Sequence, residues 1–157
     1  MQTGHKVRRP PGPFPVTALS RVVAGGGRRG WIAVLAGGII TGGVTLVVPS
    51  LLSRTDALGF LAILLGAIGA VYLGFVLADG RAREFRIEAA GILLFGVLAT
   101  TGLALAAPAV LAAGYLGHAL WDSVHGRRGI HTRIPWWYAP WCIGFDVVVG
   151  IFLLVAF

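Results

Sequence analysis

Residues Ala57–Ala78 read ALGFLAILLGAIGAVYLGFVLA, a run without one charged side chain. Coiled as a helix at 1.5 Å per residue it is about 33 Å long, the thickness of bilayer hydrocarbon. A helix apolar all round is stable only in lipid or at the centre of a large protein. With 157 residues this chain is not a large protein. The run therefore predicts a transmembrane helix.

Four more apolar runs flank it. They cover residues 31–48, stopping at Pro49; 87–107, stopping at Pro108; 108–124, ending in His125-Gly126-Arg127-Arg128; and 140–157. The five runs have about 17–22 residues each, enough to cross ~30 Å of hydrocarbon. Merging the third and fourth would leave one very long apolar helix with Pro108 in its middle, where proline breaks a helix. The expected fold is all-α: a polytopic membrane helical bundle of five transmembrane helices over residues 31–157.

Composition supports the same class. The chain is 57% hydrophobic and 12% charged, with a mean hydropathy of +0.84. Counted with its 24 glycines, the apolar share is roughly 70%, against about 45–50% in soluble domains. That excludes a water-soluble globular enzyme and a disordered chain. The net charge of +7 would suggest nucleic acid in a soluble protein. Here the positive residues lie between apolar runs, where topology and anionic lipid account for them. The expected partners are membrane lipids and a second copy of the chain, not nucleic acid. The single cysteine, Cys142, excludes an internal disulfide.

Residues 1–30 differ from the rest. They hold Lys6, Arg8, Arg9, Arg21, Arg28 and Arg29, no acid, four prolines within 10–15 and Gly25-Gly26-Gly27. No apolar stretch follows the early charges as in a signal peptide. The segment reads as a basic, Pro/Gly-rich, disordered cytoplasmic tail. Gly25-Gly26-Gly27-Arg28-Arg29-Gly30 matches the letters of G-x-G-x-x-G, but that fingerprint works only between a strand and a helix of a βαβ unit. Nothing here supplies one.

Charge also orients the bundle. With alternating helices, the tail, the loop around 79–86 (Arg81, Arg83, Arg86) and the loop 125–139 (Arg127, Arg128, Arg133) share one side, and Arg54 alone lies on the other. Lys and Arg stay cytoplasmic during insertion. The N-terminus is therefore expected inside and the C-terminus outside, in the cell (inner) membrane. Small residues recur every four positions: Ala33, Gly37, Thr41 and Thr45; Gly38 and Gly42; Gly66, Ala70 and Gly74. That spacing lets helix backbones approach closely in lipid, first within the chain and otherwise between two copies.

The informative segment is His118-Ala119-Leu120-Trp121-Asp122-Ser123-Val124-His125. At 100° per residue, Asp122 lies about 40° from His118 and His125 about 20° the other way, so all three share one stripe. Imidazole and carboxylate one turn apart can ligate one metal ion, or the carboxylate can fix a histidine tautomer. On the fifth run Cys142 and Asp146 are one turn apart, and Glu88 opens the third at similar depth. Ionisable groups from three helices thus meet in one half of the membrane, where charge is expensive. Each has a plainer role. Glu88 can cap its helix or pair with a loop arginine, His125 can be solvated, and Cys142 can be a small buried apolar residue. The acids and histidines can form a packing network, and His131 can close over the site. Trp136, Trp137, Tyr138 and Trp141 suit an interfacial belt or the mouth of a hydrophobic pocket.

The His-x-x-Trp-Asp-x-x-His run, with the following Pro-Trp-Trp-Tyr and Cys142-x-x-x-Asp146, resembles a group of small bacterial multi-pass membrane proteins of unknown function. The resemblance covers roughly residues 108–150. It implies a shared site without naming a chemistry.

The first functional reading is a metal-assisted enzyme acting on a lipid or other hydrophobic substrate. Asp122 and Asp146 are its candidate catalytic groups, and His118, Asp122, His125 and Cys142 its candidate ligands for a divalent transition-metal ion. Trp121, Trp137, Tyr138 and Glu88 are the candidate substrate-binding residues. The second reading is a small-solute, ion or proton transporter working as an oligomer. The third is a non-catalytic membrane module acting through its tail. No P-loop, H-E-x-x-H or nucleophilic triad is present.

Overall fold

A computed structural model describes residues 27–125 and 132–157. Most of the basic tail, with Arg127, Arg128 and His131, lies outside the described residues. Helix α1 (Arg28–Thr45) is broken at Leu46 and continued by a single turn, Val47–Ser50. Then come α2 (Arg54–Asp79), α3 (Ala82–Ala104), α4 (Pro108–Val124) and α5 (Tyr138–Ala156). Four helices are long and apolar enough to cross a membrane: Arg28–Ser50, Arg54–Asp79, Ala82–Ala104 and Tyr138–Ala156. The expected fourth run is also a helix with the expected bounds, but at 17 residues it is shorter than the others.

Helix ends follow local chemistry. The Ser53 hydroxyl accepts from the Asp56 N–H at 3.2 Å and donates to its carboxylate at 2.6 Å, capping α2. Asp56 adds negative charge at the positive end of the helix dipole. Gly80, with φ 72°, ends α2 in the left-handed conformation. The end of α3 forms a Schellman turn, with the Ala107 N–H on the Gly102 carbonyl and the Ala106 N–H on Leu103. Ala106 takes the positive φ of that turn, 47°, where glycine is usual. Pro108 opens α4 at a position where its missing N–H is harmless. The third run thus begins five residues earlier than expected, so Arg83, Glu84 and Arg86 are helical.

Helix α5 packs against α1 and α4, α4 also against α3 and α2, and α2 against α3. One end of the bundle is sealed by Leu58, Leu61, Leu65, Leu111, Val149 and Leu153. There the Tyr115 hydroxyl donates to the Leu61 carbonyl at 2.7 Å. The outer surface is apolar as well, with Leu51, Ile63 and Val155 at least 74% exposed. Water would penalise such a surface, and lipid would not.

Helix α1 is held by glycines. Only Gly38 and Gly42 are buried on it. A Cβ on Gly38 would run into the Trp141 carbonyl, one on Gly42 would sit 3.1 Å from the Phe145 carbonyl, and one on Gly144 would strike the Leu35 carbonyl. The Gly38/Gly42 row is therefore an intramolecular contact. The Gly66/Gly74 row faces open space, and its neighbour Gly69 is the position packed on Phe95. Gly144→Leu is expected to destabilise the protein by about 1–3 kcal/mol through overpacking, whereas Gly66→Leu leaves it unchanged. Thermal unfolding of both variants in detergent checks this, and equal effects would contradict the packing.

Candidate functional site

At the end opposite the leucine seal, polar side chains from four helices meet. Gly114 gives α4 its close approach, since a Cβ there would collide with Leu65. One turn on, α4 carries His118 and Asp122 into the bundle, and α5 presents Asp146 to them. His118 and Asp146 are 0% exposed and Asp122 is 2% exposed. His118 Nδ1 is 2.7 Å from Asp146 Oδ2 and 3.6 Å from Asp122 Oδ2. The Tyr72 hydroxyl on α2 donates to Asp122 Oδ1. Rings enclose the imidazole, with Phe95 at 4.9 Å and Tyr72 at 5.9 Å between centroids.

Three atoms of this group are buried with no hydrogen-bond partner among the described residues: His118 Nε2, Asp122 Oδ2 and Asp146 Oδ1. An ionised Asp146 can only accept, so the proton belongs on His118 Nδ1 and the lone pair on Nε2. One donor atom from each of His118, Asp122 and Asp146 lies within 4.8 Å of the other two. Unanswered polar atoms in an apolar interior cost free energy. A divalent cation held by one donor atom of each residue would take the place of the His118–Asp146 hydrogen bond, and two carboxylates, a neutral imidazole and a 2+ ion sum to zero charge. A nitrogen and oxygen set of this kind suits ions such as Zn²⁺, Mn²⁺ or Fe²⁺.

A second cluster lies beside the first. Glu88 on α3 is 0% exposed. Its Oε1 accepts from His125 Nε2 at 2.8 Å and from the Thr132 hydroxyl at 2.5 Å. Its Oε2 accepts from Trp121 Nε1 at 3.3 Å. The other nitrogen of His125 faces the Trp121 carbonyl at 2.9 Å. Both partners of His125 are acceptors, so the geometry suits the doubly protonated ring. Burial disfavours that charge, but the Glu88 carboxylate and the Trp121 carbonyl outweigh it and hold the His125 pKa above its usual value.

The candidate residues thus divide. His118, Asp122 and Asp146 come together, while His125 leaves their stripe where α4 ends and turns to Glu88. Cys142 is buried as a free thiol with Tyr72 and Tyr138 and is not one of the three clustered donors. Tyr138 packs edge-on against Tyr72 at 5.7 Å, and Trp121 lies against Gly91, where a Cβ would come within 2.9 Å of its ring. Trp137 is exposed and makes its ring contact with Tyr138. Sequence reading missed Tyr72 and Thr132. A tyrosine in an apolar run needs a partner for its hydroxyl, and that signal would have found Tyr72.

Removing the Tyr72 hydroxyl leaves Asp122 with neither oxygen satisfied by a donor among the described residues. Tyr72→Phe is therefore expected to destabilise the protein by about 1–3 kcal/mol, read as a lower unfolding midpoint in detergent. An unchanged midpoint would show that the hydroxyl does not support Asp122.

Residues 32–156 match a family described as of unknown function, DUF6010. No curated protein and no solved structure matches the chain. The match begins after the basic tail and takes in all five helices, so it encloses both polar clusters and the glycine contact that holds α1. This chain belongs to the DUF6010 family of unknown function.

Proposed function

We propose that the protein is a five-span protein of the cell membrane whose working site is a divalent transition-metal centre on His118, Asp122 and Asp146. The observation that carries this reading is that one donor atom from each of these three buried residues lies within 4.8 Å of the other two. Asp122 and Asp146 are the groups placed to act on a reacting molecule, and His118 is the nitrogen ligand. A bound ion would supply Lewis-acid polarisation, or a water acidified toward neutral pH, in a site closed to bulk water. The substrate best suited to so apolar a setting is a lipid or another hydrophobic molecule, met by Trp121 and Tyr138. His125 and Cys142 lie outside the ligand set, one held by Glu88 and the other packed between tyrosines.

The short helix α4 completes five crossings, since 17 residues at 1.5 Å rise cover about 26 Å and a bilayer thins around such a segment. The basic residues then place the tail, the Gly80–Arg81 turn and the α4–α5 connection in the cytoplasm. The centre lies in the cytoplasmic half. Transport is the weaker reading, because the opposite half is shut by Leu58, Leu61, Leu65, Leu111, Val149 and Leu153. Membrane lipids are the proposed surroundings, and the open Gly66/Gly74 row on α2 supports self-association.

Metal analysis of the purified full chain tests the centre. About one divalent ion per chain is expected, with stability rising by about 2.7 kcal/mol at a free ion concentration 100 times Kd. His118→Ala and Asp146→Asn abolish both effects, while Cys142→Ala retains them. Absence of an ion, with unfolding indifferent to added Zn²⁺, Mn²⁺ and Fe²⁺ and to chelator, overturns the reading. Topology has its own test. A reporter enzyme active only outside the cytoplasm should be active when fused after Phe157 and silent when fused after Arg81. The reverse pattern would invert the bundle.

A further inference from the structure

Glu88 accepts three side-chain hydrogen bonds, and none of its partners belongs to the His118 group. Its two oxygens hold Trp121 near the end of α4, His125 just past that end, and Thr132 ahead of α5. Two separate pieces of chain, the end of α4 and Thr132 ahead of α5, are thus gathered on one side chain that rises from α3 and is 0% exposed. A second tie runs parallel to it. The Arg133 N–H donates to the Asp79 carboxylate at 3.4 Å, so the residue after Thr132 is bound to the end of α2.

Contacts lead from Glu88 directly to the centre. The His125 ring, fixed by Glu88 on one nitrogen, lies 4.6 Å from the Tyr72 ring at an interplanar angle of 32°. Tyr72 in turn holds Asp122. Trp121, the other group on Glu88, packs against Phe95 at 6.3 Å, and Phe95 covers the His118 imidazole. Through His125 and through Trp121, one carboxylate therefore sets the position of both rings that enclose His118.

We infer that Glu88 is a positioning residue that clasps the end of α4 and Thr132, ahead of α5, to α3 and so controls access from the aqueous phase to the His118, Asp122 and Asp146 site. This rests on the reading of those three residues as the working site. Glu88 holds no reacting atom. Its part is to hold down His125, Trp121 and Thr132, which keeps Tyr72 and Phe95 over the centre. When the clasp is released, these rings separate and water, ion or substrate reaches the site.

The protein carries its own reporter. Cys142, the only cysteine of the chain, is 1% exposed and packs with Tyr72 and Tyr138 beside the clasp. Its alkylation by N-ethylmaleimide is measured on the full chain in detergent after chelator treatment, so the outcome does not depend on whether an ion binds. Wild-type protein is expected to label slowly and Glu88→Ala at least about tenfold faster, as local opening exposes the thiol. Glu88→Gln keeps acceptor oxygen for Thr132 and His125, so it stays within about threefold of wild type. Thr132→Val removes one donor and leaves the carboxylate in place, and faster labelling is expected there too if Glu88→Ala does not fold. Leu58→Ala, which weakens the opposite end, should leave labelling slow even at a matched unfolding temperature. Wild-type labelling rates in Glu88→Ala, or in Thr132→Val where Glu88→Ala is unfolded, would overturn the proposal. So would equal acceleration in Leu58→Ala, which would make opening a matter of global stability. Loss of metal binding with accelerated labelling intact would sink the metal reading and leave the clasp standing.

Discussion

A carboxylate in an apolar interior needs its charge neutralised or its oxygens bonded, because the surrounding medium offers neither. Four such carboxylates, Glu84, Glu88, Asp122 and Asp146, are at most 2% exposed in this bundle, and Glu84 is paired with Arg83. Much of the polar architecture can be understood as their accommodation. Tyr72 is turned toward Asp122, and His118 is shared between Asp122 and Asp146. His125, Thr132 and Trp121 converge on Glu88. The two clusters differ in one respect that matters for function. Each oxygen of Glu88 has a donor, whereas one oxygen of each aspartate and one nitrogen of His118 have none among the described residues. The first arrangement is finished as structure. The second leaves polar atoms unanswered among the described residues.

That difference sets the rest of the molecule in order. The leucine end, between α2, α4 and α5, contains among the described residues two polar ties between helices, Tyr115 to the Leu61 carbonyl and Arg54 to the Phe157 carbonyl. It supplies packing that needs no water and gives no continuous polar route. At the other end the helices are joined by hydrogen bonds to side chains, which bind strongly when made and release as a group when one member goes. A bundle firm at one end and polar at the other opens most readily at the polar end. Helix α1 stands apart from both. It touches α5 through Gly38, Gly42 and Gly144, a contact between backbones that contributes no chemistry to either cluster.

Much of this could be read from the residues alone. Hydrophobic runs and prolines located the helices to within a few residues, because a lipid-exposed helix must be apolar all round and its ends must satisfy or omit backbone donors. The third helix started earlier than expected. Arg83, Glu84 and Arg86 looked like loop on charge alone, yet charged residues in a first turn extend freely past the apolar core. Glu84 is in fact buried and paired with Arg83. For the site, helical spacing put His118, Asp122, Asp146 and Cys142 on inward faces, and those positions are buried. Spacing failed for His125, since angular arithmetic holds only while the helix lasts and α4 ends at Val124. For Tyr72 a hydroxyl in an apolar run signals only that some partner exists; which partner it has, like the role of Thr132, was out of reach for a different reason. Their roles come from contacts 50 and 44 residues away in sequence, and no periodicity within one segment encodes such a pairing.

The family match adds one constraint on where function can sit. It spans residues 32–156 and so leaves out every Lys and Arg of the tail while including every side chain of the two polar clusters. A module acting through its basic tail would place its function outside the region that defines the family. A centre built from α2, α3, α4 and α5 places it inside. The helices also depend on one another for that centre: Tyr72 comes from α2, Glu88 from α3, His118 and Asp122 from α4, and Asp146 from α5. A piece lacking any one of α2 to α5 would lose one of these groups, because the contacts that join them run between helices.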